Sequence, residues 1–163
     1  MTAFLEKLIE ALRNELQQYG EMLALLDHQK ELVRLRGADE ILHSIAAINT
    51  QSAMIQIARE TREYNQRQLA NGLKQPAAAT FAQLLPLLPG QYRPLVSALL
   101  QENNELLERV RQRAQENQVL LRRSLEMMQR FITTLEPVPI KIRSVEPKTI
   151  PVPVEAPLYE SIV

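Results

Sequence analysis

Two histidines, His28 and His43, are the only imidazoles in a chain of 163 residues that contains no cysteine. They stand on opposite sides of a helix break at Gly37 and could approach one another, but two imidazoles alone do not make a zinc site. Both are read as exposed helix residues. No glycine-rich phosphate loop, nucleophile elbow or His-x-x-x-His pair occurs. No catalytic, cofactor-binding or metal-binding residue is therefore expected, and the chain is not read as an enzyme. Glu102, Glu105 and Glu108 with Arg109, Arg111 and Arg113 form a charge-rich stretch, read as a solvated helix face carrying i,i+4 pairs.

The pattern that stands above this background is apolar and suits docking. Leu120-Leu121, Met127-Met128 and Phe131-Ile132 are doublets near the end of a long helical segment. On a wheel of about 100° per residue with Leu121 at zero, Leu125, Met128, Ile132 and Leu135 fall within about 40°. These five are expected to serve an intramolecular seam. Leu120, Met127 and Phe131 lie between about −80° and −120°, a second stripe beside the first. That stripe is either further core or the wall of a groove for a guest helix. Methionine favours the groove, because its flexible thioether adapts to varied apolar surfaces. Leu120, Leu121, Met127, Met128 and Phe131 are the candidate partner-binding residues.

Composition limits what can present them. Nineteen Lys and Arg balance nineteen Asp and Glu, and phosphate binding would need a basic surplus, so no nucleic-acid partner is expected. Hydrophobic residues reach 45% while aromatics are 4% and tryptophan is absent, the profile of helix bundles and coiled coils. No apolar run of 18 residues exists, so no membrane span is expected. Met1 to Lys7 lack a basic leader followed by an apolar block, so no signal peptide is expected either. A soluble intracellular protein follows.

Glycine and proline divide the chain. No proline precedes Pro76, four lie between 76 and 94, and six follow Glu136. Three long segments remain, about 2–37, 39–71 and 94–136. In the first, Leu5, Ile9, Leu12, Leu16, Tyr19, Leu23 and Leu26 alternate spacings of 4 and 3, which keeps one stripe facing a partner helix. Lys30 interrupts this seam, Val33 resumes it, and Gly20 sits inside it. Asp39 is the expected N-cap of the second segment. There the seam Ile41, Ile45, Ile48, Ser52, Ile55 fails at Arg59 and Arg62, so that end is either solvated or meets something polar. The Gly37-Ala38 link favours an antiparallel hairpin. Thr80-Phe81-Ala82-Gln83 has the form of a capping box before a short connector helix. Pro94 suits the first turn of the third long helix.

The expected fold is all-α: an antiparallel bundle of three long helices plus the connector helix, as one domain over residues 1–136. Residues 137–163 should form an extended Pro/Val-rich tail, since proline at every second position forbids a helix. Its nine Val or Ile residues and Tyr159, a candidate anchor that makes the sixth partner-binding residue, suggest a segment that lays one edge on an apolar groove.

The chain resembles the flagellar export chaperones of the FlgN type. The features that carry this are the long Leu-seam helix, the Arg36-Gly37-Ala38-Asp39-Glu40-Ile41-Leu42 break, the second helix, and Leu106 to Leu135. Within the last, Glu116-Asn117-Gln118-Val119-Leu120-Leu121-Arg122-Arg123-Ser124-Leu125 is similar to the family's closing helix, where an asparagine precedes a leucine pair. The resemblance covers about residues 1–136 and leaves the tail without a counterpart. It implies a cytoplasmic chaperone of type III flagellar export that binds the terminal helices of hook–filament junction proteins and prevents premature assembly. It also allows the export gate as a second partner, and a homodimer. The alternative reading is a structural coiled-coil adaptor or self-assembling scaffold, which would saturate its apolar stripes by self-association.

Overall fold

A computed structural model describes residues 2–35 and 37–135, with the backbone alone at Phe131 and Leu135. The described chain is all-α. Helix α1 is Thr2–Leu35, α2 is Ala38–Gly72, α3 is the single turn Phe81–Leu84 followed by a 3-10 turn Leu85–Leu87, and α4 is Arg93–Leu135. The three long segments expected from the sequence are helical. The tail expected over 137–163, Tyr159 included, lies outside the described residues.

Local chemistry explains most boundaries. The expected N-cap at Asp39 is a misplacement by two residues: Gly37 is the cap, with extended backbone at φ −78° and ψ 96°. Asp39 and Glu40 lie within the first turn instead, where their negative charge favours the helix dipole. The capping box at Thr80 is present, the Thr80 N–H donating to Gln83 Oε1 at 2.9 Å. Pro94 falls in the first turn of α4.

Helix α1 is the one on which both others pack. Of its expected seam, Leu5, Ile9, Leu12, Tyr19 and Leu26 are buried, and Leu16 and Leu23 partly so. A helix with two neighbours needs a second buried stripe, and Leu8, Ala11, Glu15, Gln18, Met22 and Gln29 form it. The core has two main apolar clusters. Leu5, Leu8, Ile9 and Leu12 meet Leu69 of α2, Phe81 and Leu88 of the connector, and Val96, Leu99 and Leu100 of α4. Further along, Tyr19, Met22 and Leu26 meet Ile48, Ile55, Leu107 and Val110.

Buried polar contacts mark the helix directions. Between α1 and α2, Arg62 Nε donates to Glu15 Oε2 at 3.1 Å, Gln51 Nε2 to the Gln18 carbonyl at 2.9 Å, and Gln29 Nε2 to Ser44 Oγ at 3.1 Å. Rising numbers on one helix meet falling numbers on the other, so the pair is an antiparallel hairpin. Of the two readings for the end of α2 near Arg59 and Arg62, the polar partner is the one found. Both arginines are buried, and Arg62 is ion-paired with a wholly buried Glu15. Between α1 and α4 the numbers rise together. Asn103 Nδ2 donates to the Leu12 carbonyl at 3.1 Å and Asn117 Nδ2 to the Leu26 carbonyl at 2.7 Å, each pair 91 residues apart in the chain. Helix α4 therefore runs parallel to α1.

Two stability changes are expected. Glu15→Leu takes the buried carboxylate from Arg62 Nε, leaving the guanidinium its contacts with Gln66 and Glu63, and should cost about 3 kcal/mol, while adding Arg62→Met should recover a large part of the loss in urea unfolding. Gly20→Ala should stabilise by about 0.5–1 kcal/mol in thermal melts. The added Cβ would stand 4.0 Å from Leu106 Cδ2, in ordinary contact, and removes the entropic cost of a mid-helix glycine.

Candidate partner-binding surface at the free end of α4

The surface follows from unequal helix lengths. Helix α1 has 34 residues and α4 has 43. Continuing the register set by the Leu12–Asn103 and Leu26–Asn117 contacts places Leu35, the last residue of α1, opposite Glu126. Residues 127–135 then project past the hairpin by about 14 Å.

A polar clasp holds α4 just before it runs free. Arg113 pairs through Nε with Asp27 Oδ1 at 2.6 Å and through Nη1 with Glu116 Oε2 at 2.9 Å. Lys30, the residue that interrupts the α1 seam, reaches Glu116 Oε2 at 3.4 Å. The Lys30 hydrogen bond, aided by the charge of Arg113 and a bond from Gln112, holds the Glu116 carboxyl below the usual glutamate range. Partial desolvation opposes that shift without reversing it. One turn on, buried Asn117 also donates to Gln29 Oε1 at 3.1 Å, linking α4 through Gln29 and Ser44 to α2.

Beyond the clasp the apolar residues lose their partners. Leu120 and Leu121 are half-buried. Met127 is 54% exposed and Met128 44%. Phe131 lies on the same helix with its backbone alone described, and Tyr159 lies outside the described residues. The expectation that Leu121, Leu125, Met128, Ile132 and Leu135 all serve an intramolecular seam needs correction. Leu125 is 39% exposed and Ile132 40%, and with Met128 they stand in solvent because α1 has nearly ended or ended at their level. Half-buried Leu121 retains some of that role, and the side chain of Leu135 lies outside those described. Leu35 and Leu42, on either side of the Gly37 turn, are exposed at this same end.

Sequence reading missed Leu125, Ile132, Leu35 and Leu42 as parts of this surface. The helix lengths carried the signal, since the third segment was visibly the longest, but the register that turns length into overhang was not readable. The rims are basic: Arg122, Arg123 and Arg130 are exposed, with Glu126 the one acidic side chain among residues 118–135. Among the described residues, no group of acidic side chains and histidines is placed to hold a metal ion, and no helix is long and apolar enough to cross a membrane.

The described chain is thus all-α, with one helix overshooting its hairpin and baring apolar side chains at its end. The family model described as FlgN protein matches residues 1–141, and the chain belongs to the FlgN family. That is a family of flagellar export chaperones rather than enzymes. Neither comparison with curated proteins nor comparison with solved structures finds a match.

The clasp has a pH signature. A carboxylate held below its ordinary range in the folded chain contributes stability that is present above the unfolded glutamate pKa and lost as pH falls through the lowered folded value. Carboxyl NMR should therefore find Glu116 titrating below the ordinary glutamate range, and Lys30→Met should move it upward. An unmoved Glu116 in the Lys30 variant would break the assignment.

Proposed function

We propose that the chain is a cytoplasmic chaperone of type III flagellar export that holds the terminal helices of hook–filament junction proteins against the free end of α4. The observation that carries this reading is the exposure of Met127 and Met128 beside Leu125 and Ile132, on a helix end with no partner among the described residues. Terminal helices of junction proteins must be amphipathic to pack in a filament, so before export they need a temporary apolar cover. A guest helix laid along α4 would bury its stripe by the i, i+3, i+4 contacts that α1 supplies to the rest of the helix. Two-faced exposure suits such a guest, since both the Leu121 and the Met127 stripes are open at this level. Release at the export gate needs modest affinity, which a short surface of flexible methionines supplies.

Met127→Asp and Phe131→Asp, with Leu120→Asp as a half-buried third, should each weaken binding of a junction protein's terminal helix by tenfold or more, about 1.4 kcal/mol or above. At exposed Met127 the melting temperature should hardly move, because surface changes stay within about 0.5 kcal/mol. Calorimetric titration with a synthetic terminal helix checks the first point and thermal unfolding the second. Loss of the fold in the Met127 variant would make the stripe core. A chain that self-associates through this stripe and ignores the helix would be a scaffold instead.

A further inference from the structure

The open end of α4 has a second feature beside its apolar arc, which is the sign of its borders. On the helix wheel Arg123 and Arg130 flank the Met127 edge, and Arg122 flanks the opposite edge beside Leu125, all three exposed. An occupant matched to this surface is apolar, carries an aromatic anchor, and has carboxylates rather than ammonium groups at its sides. The chain contains such a segment. Residues 150–163 hold Ile150, Val152, Val154, Leu158 and Tyr159, and their only charged side chains are Glu155 and Glu160. The basic residues of the last 28 positions, Lys141, Arg143 and Lys148, all precede it.

From this complementarity we infer that the segment around Glu155–Glu160 is an internal occupant of the α4 end, covering Met127 and Met128 until a partner helix displaces it. The inference rests on the partner-binding reading above and adds to it a competitor built into the same chain. Tyr159 fills the apolar arc between the stripes, and Glu155 and Glu160 face the arginine borders. Connection makes even weak contacts effective. The 22 residues between Leu135 and Leu158 can span at most about 80 Å, several times the overhang. A tether of that length holds the segment at an effective concentration on the order of millimolar, so a contact of millimolar strength is occupied about half the time. A guest helix must overcome that occupancy, which lowers its apparent affinity by the fraction of time the surface stands open.

Absence of cysteine makes the test direct. A nitroxide on Ser161→Cys in the full chain, with methionine methyls carbon-13 labelled, reports which methionines the segment visits. Met22 and Met54 serve as controls, the first buried in the core and the second exposed on α2. Attenuation of the Met127 and Met128 methyl signals severalfold stronger than at Met22 and Met54 is the expected result. Equal attenuation at all four, or none, overturns the inference. Attenuation found only when labelled and unlabelled chains are mixed would place the segment on a neighbouring copy and also overturn it. Tyr159→Ala with Glu155→Lys and Glu160→Lys should abolish the attenuation. If the segment covers the surface nine-tenths of the time, the same variant should bind a junction-protein terminal helix about tenfold more tightly. Failure of that variant to bind any such helix would sink the chaperone reading alone, because the methyl result stands without it.

Discussion

Register between α1 and α4 is the constraint on which the rest depends, and two buried asparagines set it. Asn103 and Asn117 are 14 residues apart, as are the carbonyls of Leu12 and Leu26 that they bond. Both amides are almost wholly buried, and a main-chain carbonyl accepts only from the nitrogen side, which fixes their orientation as well. Sliding α4 by one turn would break the interhelix bonds of both amides, leaving Asn103 only its bond to the Leu99 carbonyl of its own helix, and a buried amide that loses its partner costs about 1–3 kcal/mol. Leucine at these positions would pack in more than one register. The polar pair therefore selects one alignment, as a lone buried asparagine does in coiled coils. That alignment decides how much of α4 lies past the hairpin.

The number, type and approximate bounds of the helices were legible because they depend on local signals. Proline position, the 4-3 alternation along α1 and the Thr80 capping box each act within a few residues. What was not legible depends on pairing. Glu15, Gln18 and Gln29 are polar residues outside the expected seam, yet each is buried by meeting a particular partner on α2 or α4. Arg59 and Arg62 read as the failure of a seam, whereas Arg62 continues it by burying its charge against Glu15. The same limit misled the reading of Leu125, Met128 and Ile132. Their periodicity is that of a seam, and periodicity cannot reveal that the opposing helix ends at Leu35. At the candidate site the helix and its apolar doublets were readable, and their exposure was not.

These polar layers also divide the molecule's labour along α4. The main apolar clusters take their α4 side chains from Val96 to Val110, with Ala114 at the margin. From Arg113 to Asn117 the helix is held by ion pairs and amide bonds to α1. Beyond Glu126 it has no α1 residue opposite. Hydrophobic burial holds the first stretch, directional contacts aim the second, and the third is presented to solvent by both. A surface placed this way can vary in sequence with little consequence for folding, while the register keeps its position fixed.

An apolar end of this kind would invite indiscriminate association if it were broad. Its width is limited by charge. Arg122, Arg123, Glu126 and Arg130 recur every few residues, so the arc between them is one helix face wide and no broader. Collapse onto a flat apolar surface would desolvate these arginines without pairing them, which is costly. A single helix or extended segment can lie along the arc and leave the arginines in water or opposite carboxylates. The charged borders thus do by exclusion what the apolar arc alone cannot: they admit narrow occupants and turn away wide ones. Specificity at this site then comes less from the methionines, which accept almost any apolar shape, than from the basic residues that frame them.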